Sequence, residues 1–519
     1  MSMHFSFDHD RGEVDDRSGP RPGADEAFRI GLIGDFSGRS TRGVVESSES
    51  IAARGPMRVD IDTLEEVLAR LNVQIRVPVG QGGEIVINVG EIDDFHPDAL
   101  AAKVDLFREL RRTRKRLADP GTFAEAAREV QSWASESTAP EPSASPAPSA
   151  PSAPEEPTAA PADNPFASLL GGPASTGREG SGVDISALLR QVVGPHVVPA
   201  ADPRQEALIA SVDQAMGEQM RAILHDPGFQ RVESAWRGAH LLITSLELDE
   251  DLRLDLIDVC PEEVSSDLSA HEDVTQTGLY RLIVERGAGS PGATPWALLV
   301  WMHALGPTRQ EAGVAARLGA VGAGAGAPVL AGASAALAGC DSFADAPSPE
   351  SWHVEGNDEE RAAWDLLRAS PAARWISLSA PRFLLRQPFG PGSDPIDAFE
   401  FDELPGTGGD HERYLWCTGS VACCVLLGQM FTEHGWAIPA AAAGDVGGLP
   451  VHSWREGGGG GKGGESRMKA CAEGWLTDRS GQALLDRGIT PLLSIQGRDA
   501  VRIVQIVSLD GRTVRGRWS

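Results

Sequence analysis

Apolar residues recur at helical spacing on both sides of the tripeptide 226–228, which reads Asp-Pro-Gly. Proline disfavours helical geometry in the residue before it, and glycine permits a sharp turn, so the two segments are predicted to be separate helices. The apolar positions that share a face are Leu208, Val212, Ala215, Met216 and Ile223 before the turn, and Phe229, Val232, Trp236, Ala239 and Leu242 after it. The pattern predicts a helical hairpin with a large aromatic residue, Trp236, at its centre.

Alternating or continuous apolar runs predict strands in both halves of the chain. The predicted strands cover 28–34, 57–62, 73–79, 84–89, 253–259 and 296–301. The runs 73–79 and 84–89 are predicted to pair, and the order strand, helix, strand across 296–334 predicts a βαβ unit. A long apolar stretch, 414–436, predicts a single helix.

Residues 135–162 consist of Ser, Ala, Pro and Glu with almost no bulky apolar side chain, so they cannot build a core. We therefore predict a flexible tail at 1–27, a small domain at 28–134, a disordered linker at 135–182 and a large domain at 183–519. The predicted fold class is α+β or mixed α/β, with the small αβ domain tethered to a larger α/β domain.

The chain of 519 residues carries 46 basic and 74 acidic side chains, a net charge of −28. This charge argues against a dedicated nucleic-acid binder, because phosphate binding needs positive surface. The six cysteines have no zinc-ligand spacing and predict reduced, buried residues of a cytoplasmic protein. We see no secretion signal and no run of about 18 apolar residues, so direct membrane insertion is not expected.

Candidate chemistry is weak throughout the sequence. The glycine-punctuated loop after residue 34 and the stretch 456–464 both lack the residues of a phosphate-binding loop. On a continuous helix Cys417 and His434 would lie on the order of 25 Å apart, which excludes direct contact. We therefore expect no catalytic residue, no cofactor-binding residue and no metal site.

Two arginines, Arg382 and Arg386, are predicted one helical turn apart on a common side. An anion clamp is one interpretation, and structural ion pairs with the acidic stretch 397–403 are the preferred one. The basic run 108–116 likewise leaves two interpretations open. It is either a solvated helix face, or a docking patch for an acidic partner or for another copy of this acidic chain.

Several blocks resemble the contractile sheath of the type VI secretion system. The strand and loop at 28–39 and the block 92–100, IDDFHPDAL, resemble the small sheath subunit, TssB or VipA. The blocks 224–238, containing Ala-Trp-Arg-Gly, and 374–390, RWISLSAPRFLLRQPFG, resemble the large subunit, TssC or VipB, as do 414–436 and 447–452. The resemblance implies a fusion of both subunits in one chain.

The resemblance implies a structural, non-enzymatic protein that polymerises with itself around an inner tube of Hcp-type rings and contracts to drive the tube outwards. Baseplate components are implied as further partners. A short helix before the large domain, with Ile185, Leu188, Leu189 and Val192, is the candidate contact for a ClpV-type AAA+ ATPase. Trp236, Arg237, Arg382 and Arg386 are expected to be structural core and ion-pair positions.

Two departures from the family pattern leave an alternative open. The family's Gly-Asp turn is replaced at 302–306, and the usual large subunit continues for some tens of residues beyond the position that corresponds to Ser519. An alternative expectation is therefore a non-polymerising, sheath-like adaptor or cap at the sheath end or the baseplate junction.

Overall fold

The computed structural model describes residues 22–23, 26–80, 83–137, 205–287, 293–353, 358–405, 411–456 and 465–518. Their contacts divide them into two compact units. The first unit takes the described residues within 1–71, 231–387 and 406–519, and the second takes those within 72–230 and 388–405. Each unit is described separately.

The first unit is built on a nine-stranded mixed sheet. Its strands, in spatial order, are β11 (Gly444–Val446), β15 (Val501–Ile503), β14 (Ile489–Ser494), β8 (Ile376–Ala380), β7 (Val329–Ala333), β6 (Trp296–Leu305), β1 (Phe28–Gly34), β5 (Leu252–Asp258) and β2 (Met57–Val59). The six strands from β14 to β5 run parallel to their neighbours, and antiparallel pairs close both edges. The central strands are almost entirely apolar, as expected for parallel strands that are covered on both faces.

Helices of the first unit connect and cover this sheet. They are Ser48–Ala53, Leu64–Leu71, Pro261–Ala270, Gly278–Tyr280 with the π-helix Arg281–Arg286, Arg309–Ala325, Ala335–Ala338, Asp358–Arg368, Gly419–His434 and Asp478–Leu485. Two small antiparallel pairs accompany them: β9 (Phe383–Leu384) with β10 (Trp416–Cys417), and β12 (Ser453–Glu456) with β13 (Glu465–Met468). The predicted βαβ unit is confirmed, because β6 and β7 pair in parallel and Arg309–Ala325 connects them.

The second unit combines one hairpin with helices. Strands β3 (Val73–Val79) and β4 (Gly83–Val89) pair antiparallel along their whole length, which confirms the predicted pair. The helices are Pro97–Lys103, Asp105–Ala118, Phe123–Ser137 and Gln205–Leu224. The segment 388–405 belongs to the same unit and packs there through Phe399, whose ring stacks on that of Phe107 at 6.5 Å.

The predicted break at 226–228 is confirmed. One helix ends at Leu224 and the next, Pro227–Ser245, begins after the two intervening residues His225 and Asp226. The carboxylate of Asp226 accepts a hydrogen bond from the Phe229 backbone N–H at 2.9 Å, so it satisfies one of the free donors of the new helix. The single helix predicted for 414–436 is wrong at its start. Residues 416–417 form β10, and the helix begins only at Gly419.

Strand β1 has an interior position in the large sheet, between β5 and β6. Seven consecutive pairs, from Phe28 with Leu252 to Gly34 with Asp258, fix its register against β5. The chain is thus a mixed α/β fold in which residues before and after the predicted linker share one sheet. The boundaries predicted along the sequence, 28–134 and 183–519, stay a prediction. The compact units of the fold take residues from both segments.

Candidate functional site

Trp236 ties its helix to the loop that follows β1. The indole is fully buried, and its Nε1–H donates a hydrogen bond of 2.7 Å to the backbone carbonyl of Phe36. The two rings meet edge to face at 5.3 Å between centroids. A buried indole needs a partner for its N–H, and this carbonyl supplies it. The predicted core role of Trp236 thereby acquires a specific partner on a distant part of the chain.

Glu233 lies one turn before Arg237 on the same helix and holds two arginines. Its Oε1 accepts hydrogen bonds from Arg237 Nε at 2.7 Å and from Arg386 Nε at 2.8 Å. The carboxylate has no solvent exposure and the Arg386 side chain is 7% exposed. Removing charges from water is costly, so a buried carboxylate between two guanidinium groups fixes the local geometry strongly.

Arg382 makes a second and more exposed ion cluster. Its guanidinium donates to Glu473 Oε1 from Nε at 2.8 Å, and to both carboxylate oxygens of Glu412 at 3.0–3.2 Å. Burial opposes ionisation of Glu473, but hydrogen bonds from His411 and Arg382 outweigh it and hold the pKa of that carboxyl below its ordinary value. Glu473 itself lies in the left-handed backbone region, at φ 35°.

The predicted partner of Arg382 is therefore corrected. The sequence pointed to the acidic stretch 397–403, whereas Arg382 pairs with Glu473 and Glu412. Arg386 pairs with Glu233, and its pairing with the stretch 397–403 stays a prediction. Nor do the arginines lie one helical turn apart. They flank the two-residue strand β9, so one backbone segment presents them to two different clusters. Sequence spacing alone could not distinguish the carboxylates, because the partners lie 91 and 153 residues away.

His411, Glu412 and Glu473 bring their donor atoms within 4.8 Å of one another, a spacing that a metal ion could use. The surroundings do not fit a metal. Arg382 already donates to both carboxylates, and Lys469 Nζ lies 2.8 Å from His411 Nδ1. With Lys469 donating to Nδ1, His411 presents Nε2–H to Glu473 Oε1 at 3.3 Å. Arg382 and the imidazole N–H thus donate to these carboxylates, and Lys469 occupies the other ring nitrogen of His411, so the donor atoms that a metal would need are already engaged.

The loop after β1 uses its backbone amides internally. Asp258, at the end of β5, accepts hydrogen bonds from the N–H groups of Phe36 and Ser37 at 2.9 and 3.0 Å and from the Ser37 hydroxyl at 2.7 Å. Asp35 accepts from the N–H groups of Arg39 and Ser40. Carboxylates thus hold the donors that a phosphate would need. The loop is a structural joint between β1 and β5.

Cys417 is buried in β10, and burial raises the pKa of its thiol to about 12. A nucleophilic cysteine needs a thiolate, and this environment disfavours one. All six cysteines are buried and free. The geometry gives Cys417 a packing role beside the helix Gly419–His434.

The sequence missed Glu233, Glu473 and Asp258, which are the acceptors on which these clusters depend. Glu233 could have been found, because it precedes Arg237 by four residues on a predicted helix. Glu473 and Asp258 gave no comparable signal, since their partners are brought together only by the fold. The candidate ATPase-contact residues Ile185, Leu188, Leu189 and Val192 lie outside the described residues. No helix in the described ranges is long and apolar enough to cross a membrane.

Residues 206–510 match the VipB family model, described as "EvpB/VC_A0108, tail sheath N-terminal domain". Residues 22–132 match the VipA family model, described as "Type VI secretion system, VipA, VC_A0107 or Hcp2". The chain is 29% identical over 309 residues to the type VI secretion system sheath protein TssC1 of Pseudomonas aeruginosa.

That alignment takes in 59% of this chain and 61% of the relative, so the chain spans about three fifths of the length of the curated protein that it matches. The VipB match covers more than half of the chain, and the VipA match lies before it. The chain therefore belongs to the tail sheath family of the type VI secretion system and joins a VipA-type and a VipB-type segment in one polypeptide.

Proposed function

We propose that this protein is a structural subunit of a type VI secretion contractile sheath. Copies of the chain assemble helically around an inner tube in the cytoplasm, and contraction of the assembly drives the tube outwards. Family membership supports the sheath role. Burial keeps the Cys417 thiol protonated, and Arg382 and Arg386 are held in ion pairs. Both observations support a structural role rather than a catalytic one.

One observation carries the proposal: β1 and β2 of the VipA-type segment lie in the same sheet as β5 to β8 of the VipB-type segment. Where the two segments belong to separate chains, a sheath subunit forms only after they associate. Here a covalent link supplies both segments in equal number and at high effective concentration. Each chain is then a complete building block.

The partners of such a building block follow from the same role. They are further copies of the chain, an inner tube of Hcp-type protein, and baseplate components where assembly starts. Edge strands exchanged between copies would join the lattice through main-chain hydrogen bonds. A ClpV-type AAA+ ATPase is the proposed recycling partner, through Ile185, Leu188, Leu189 and Val192.

Negative-stain electron microscopy of the purified chain, with and without Hcp-type tube protein, tests the sheath role. Tube protein alone is the control, because it identifies tubes that form without this chain. We expect tubules of larger diameter than that control. Discrete particles only, at several salt concentrations and in the presence of tube protein, would contradict the proposal.

The ATPase contact has its own test. Replacing Leu188 and Leu189 with serine should abolish capture of the chain by an immobilised ClpV-type ATPase. Val198→Ser, which follows the dipeptide Gly194-Pro195 in the sequence, is the control and should bind normally. Equal capture of both variants would remove the assignment. The alternative of a non-polymerising adaptor or cap is not favoured, because both matched families are those of sheath subunits.

A further inference from the structure

The helix Asp105–Ala118, in the second unit, has one strongly cationic face. Arg108, Arg111, Arg112 and Lys115 follow one another at helical spacing and are exposed, and we call them the cationic face. The opposite side of the helix is buried through Leu106, Phe107, Leu110, Thr113 and Leu117. Because the buried residues fix the rotation of the helix, the four cations are held together on its outer surface.

The charges of the cationic face are poorly neutralised. In the part of the chain that the structure describes, Arg108 pairs with Asp105 and Arg112 with Glu109, each on their own helix, and the two arginine side chains are 57% and 69% exposed. Exposed pairs of this kind contribute little. Neither Arg111 nor Lys115 has an acidic partner among the residues that the structure describes.

The remaining cations of the same run behave differently. Arg114 forms a bidentate ion pair with Asp213 on the helix Gln205–Leu224, and Arg116 pairs with Glu129. Cations at the flank of the helix are thus satisfied within the unit, while those on the outer face are not. The contrast separates a structural set of arginines from a set that is available to a partner.

The same unit carries an acidic counterpart on the segment 391–402. Two kinds of contact anchor this segment. The Phe399 side chain is buried, and the backbone N–H groups of Asp397 and Ala398 donate to the carboxylate of Asp98. Asp394, Asp397 and Glu400 are exposed, and within the described ranges they have no cationic partner. We call these three residues the acidic loop. Asp397 and Glu400 belong to the acidic stretch 397–403, which the sequence analysis had assigned to Arg382 and Arg386.

We propose that the cationic face of one copy of this chain docks on the acidic loop of a second copy. In a single copy the two patches lie on different elements and are not paired with each other. After one such contact, the first copy still has a free acidic loop and the second copy still has a free cationic face. Such a heterologous contact propagates into rings or helical arrays, and this docking rests on the proposed sheath function.

The net charge of the chain makes this contact selective. At −28, two copies repel each other in most orientations. The cationic face is a local exception on an acidic molecule, so the orientation that places it on the acidic loop is favoured over the others. Complementary charge of this kind contributes more to orientation and association rate than to raw affinity.

A charge-swap experiment tests the docking. One variant reverses the cationic face (Arg111→Glu with Lys115→Glu), and a second reverses the acidic loop (Asp397→Lys with Glu400→Lys). The first change lowers the charge by four units and the second raises it by four, so an equal mixture keeps the mean charge of the wild type.

The control variant, Arg70→Glu with Arg479→Glu, reverses two exposed arginines elsewhere. Sedimentation velocity measures association at about 0.1 M salt, a concentration at which charges are screened beyond about 10 Å.

Each reversal variant alone should associate about tenfold or more weakly than the wild type, while the equal mixture should regain wild-type association. The control should behave as the wild type. Wild-type chains that stay monomeric, reversal variants that associate normally, or a mixture that fails to recover would each overturn the docking. If the wild-type chain formed complexes through its cationic face only when a different acidic protein was added, that protein would be the partner of the face and self-docking would be overturned.

Microscopy of the same samples separates this outcome from that of the sheath role. Tubules that form equally in both reversal variants would overturn the docking and leave the sheath role intact. Charge-dependent oligomers without tubules, even with tube protein, would support the docking and contradict the sheath role.

Discussion

The indole N–H of Trp236 donates to the backbone carbonyl of Phe36, 200 residues earlier in the chain. Phe36 belongs to the VipA-type segment and Trp236 to the VipB-type segment. Both side chains have no solvent exposure, so this bond is made where water cannot replace it.

Replacing Trp236 with Phe should destabilise the chain by about 1–3 kcal/mol. The change keeps an aromatic ring but leaves the buried carbonyl of Phe36 without its donor. Chemical denaturation measures the loss. Trp475→Phe, at a side chain that is 39% exposed, should change the free energy of unfolding by less than about 0.5 kcal/mol. Equal effects at the two positions would remove the special role of the Trp236 bond.

Replacing Glu233 with Ala should cost about 3–5 kcal/mol, because it removes the shared acceptor of Arg237 and Arg386 in a buried setting. Thermal or chemical unfolding of the full chain measures it. The matched control is Asp445→Ala, which breaks the pair with Arg502, a side chain that is 57% exposed. That change should cost less than about 1 kcal/mol. Our account of the buried cluster is wrong if the two losses are similar.

His303 should make the chain less stable as the pH falls below neutrality. Burial, followed by the charge of Arg231, lowers the pKa of His303 from 6.5 to about 3, and its Nε2 is buried without a hydrogen-bond partner in the described residues. Between these two pH values the unfolded chain binds the proton and the folded chain does not. The free energy of unfolding should therefore fall by about 2 kcal/mol between about pH 7 and pH 5.

Unfolding curves of His303→Gln over the same pH range check this expectation. The variant should have a flatter dependence than the wild type above about pH 5, where most carboxyl groups are still ionised. A wild-type slope that survives in His303→Gln would show that other groups cause it.

The six cysteines should be unreactive in the folded protein. All are buried, and burial raises the thiol pKa of Cys417 and of Cys423 to about 12. A thiol reagent at about pH 8 should find less than one reactive group in the native chain and six after unfolding in denaturant. Rapid labelling of Cys417 in the native state, located by mass spectrometry, would contradict its packing role and revive a chemical one.

Gly278→Ala should cost about 1–3 kcal/mol. A Cβ there would lie 2.2 Å from the backbone carbonyl oxygen of Ser48, so two backbones would have to separate. Gly55→Ala, where a Cβ would meet nothing within 4 Å, is the control and should be nearly neutral. Unfolding in urea distinguishes them. A neutral Gly278→Ala would mean that the packing of the helix Ser48–Ala53 on this turn is loose.

The sequence predicted well those elements whose signal is local. The break at 226–228, the pair of β3 with β4, and the βαβ unit of β6 and β7 each follow from periodicity and turn residues within about 40 positions. The start of the helix Gly419–His434 was missed because residues 416–417 are as apolar as the helix. An apolar run does not distinguish a short buried strand from a helix.

The ion clusters could be predicted only in part. Arg382 and Arg386 were recognised as ion-pair positions, but their carboxylates were assigned from nearness in sequence. For Arg382 the fold instead supplies Glu473, for Arg386 it adds Glu233, and it leaves Asp397 and Glu400 exposed to solvent. A long-range pair of charges has no periodic signature, so a single sequence cannot identify it.

The interior place of β1 in the large sheet has a consequence during synthesis. Phe28–Gly34 leaves the ribosome more than two hundred residues ahead of its neighbours β5 and β6. At roughly 5–20 residues per second, this apolar strand waits on the order of 10–40 s without a partner. An unpaired apolar strand is prone to aggregation, so folding of the fused chain depends on protection of β1 until β5 and β6 have been synthesised.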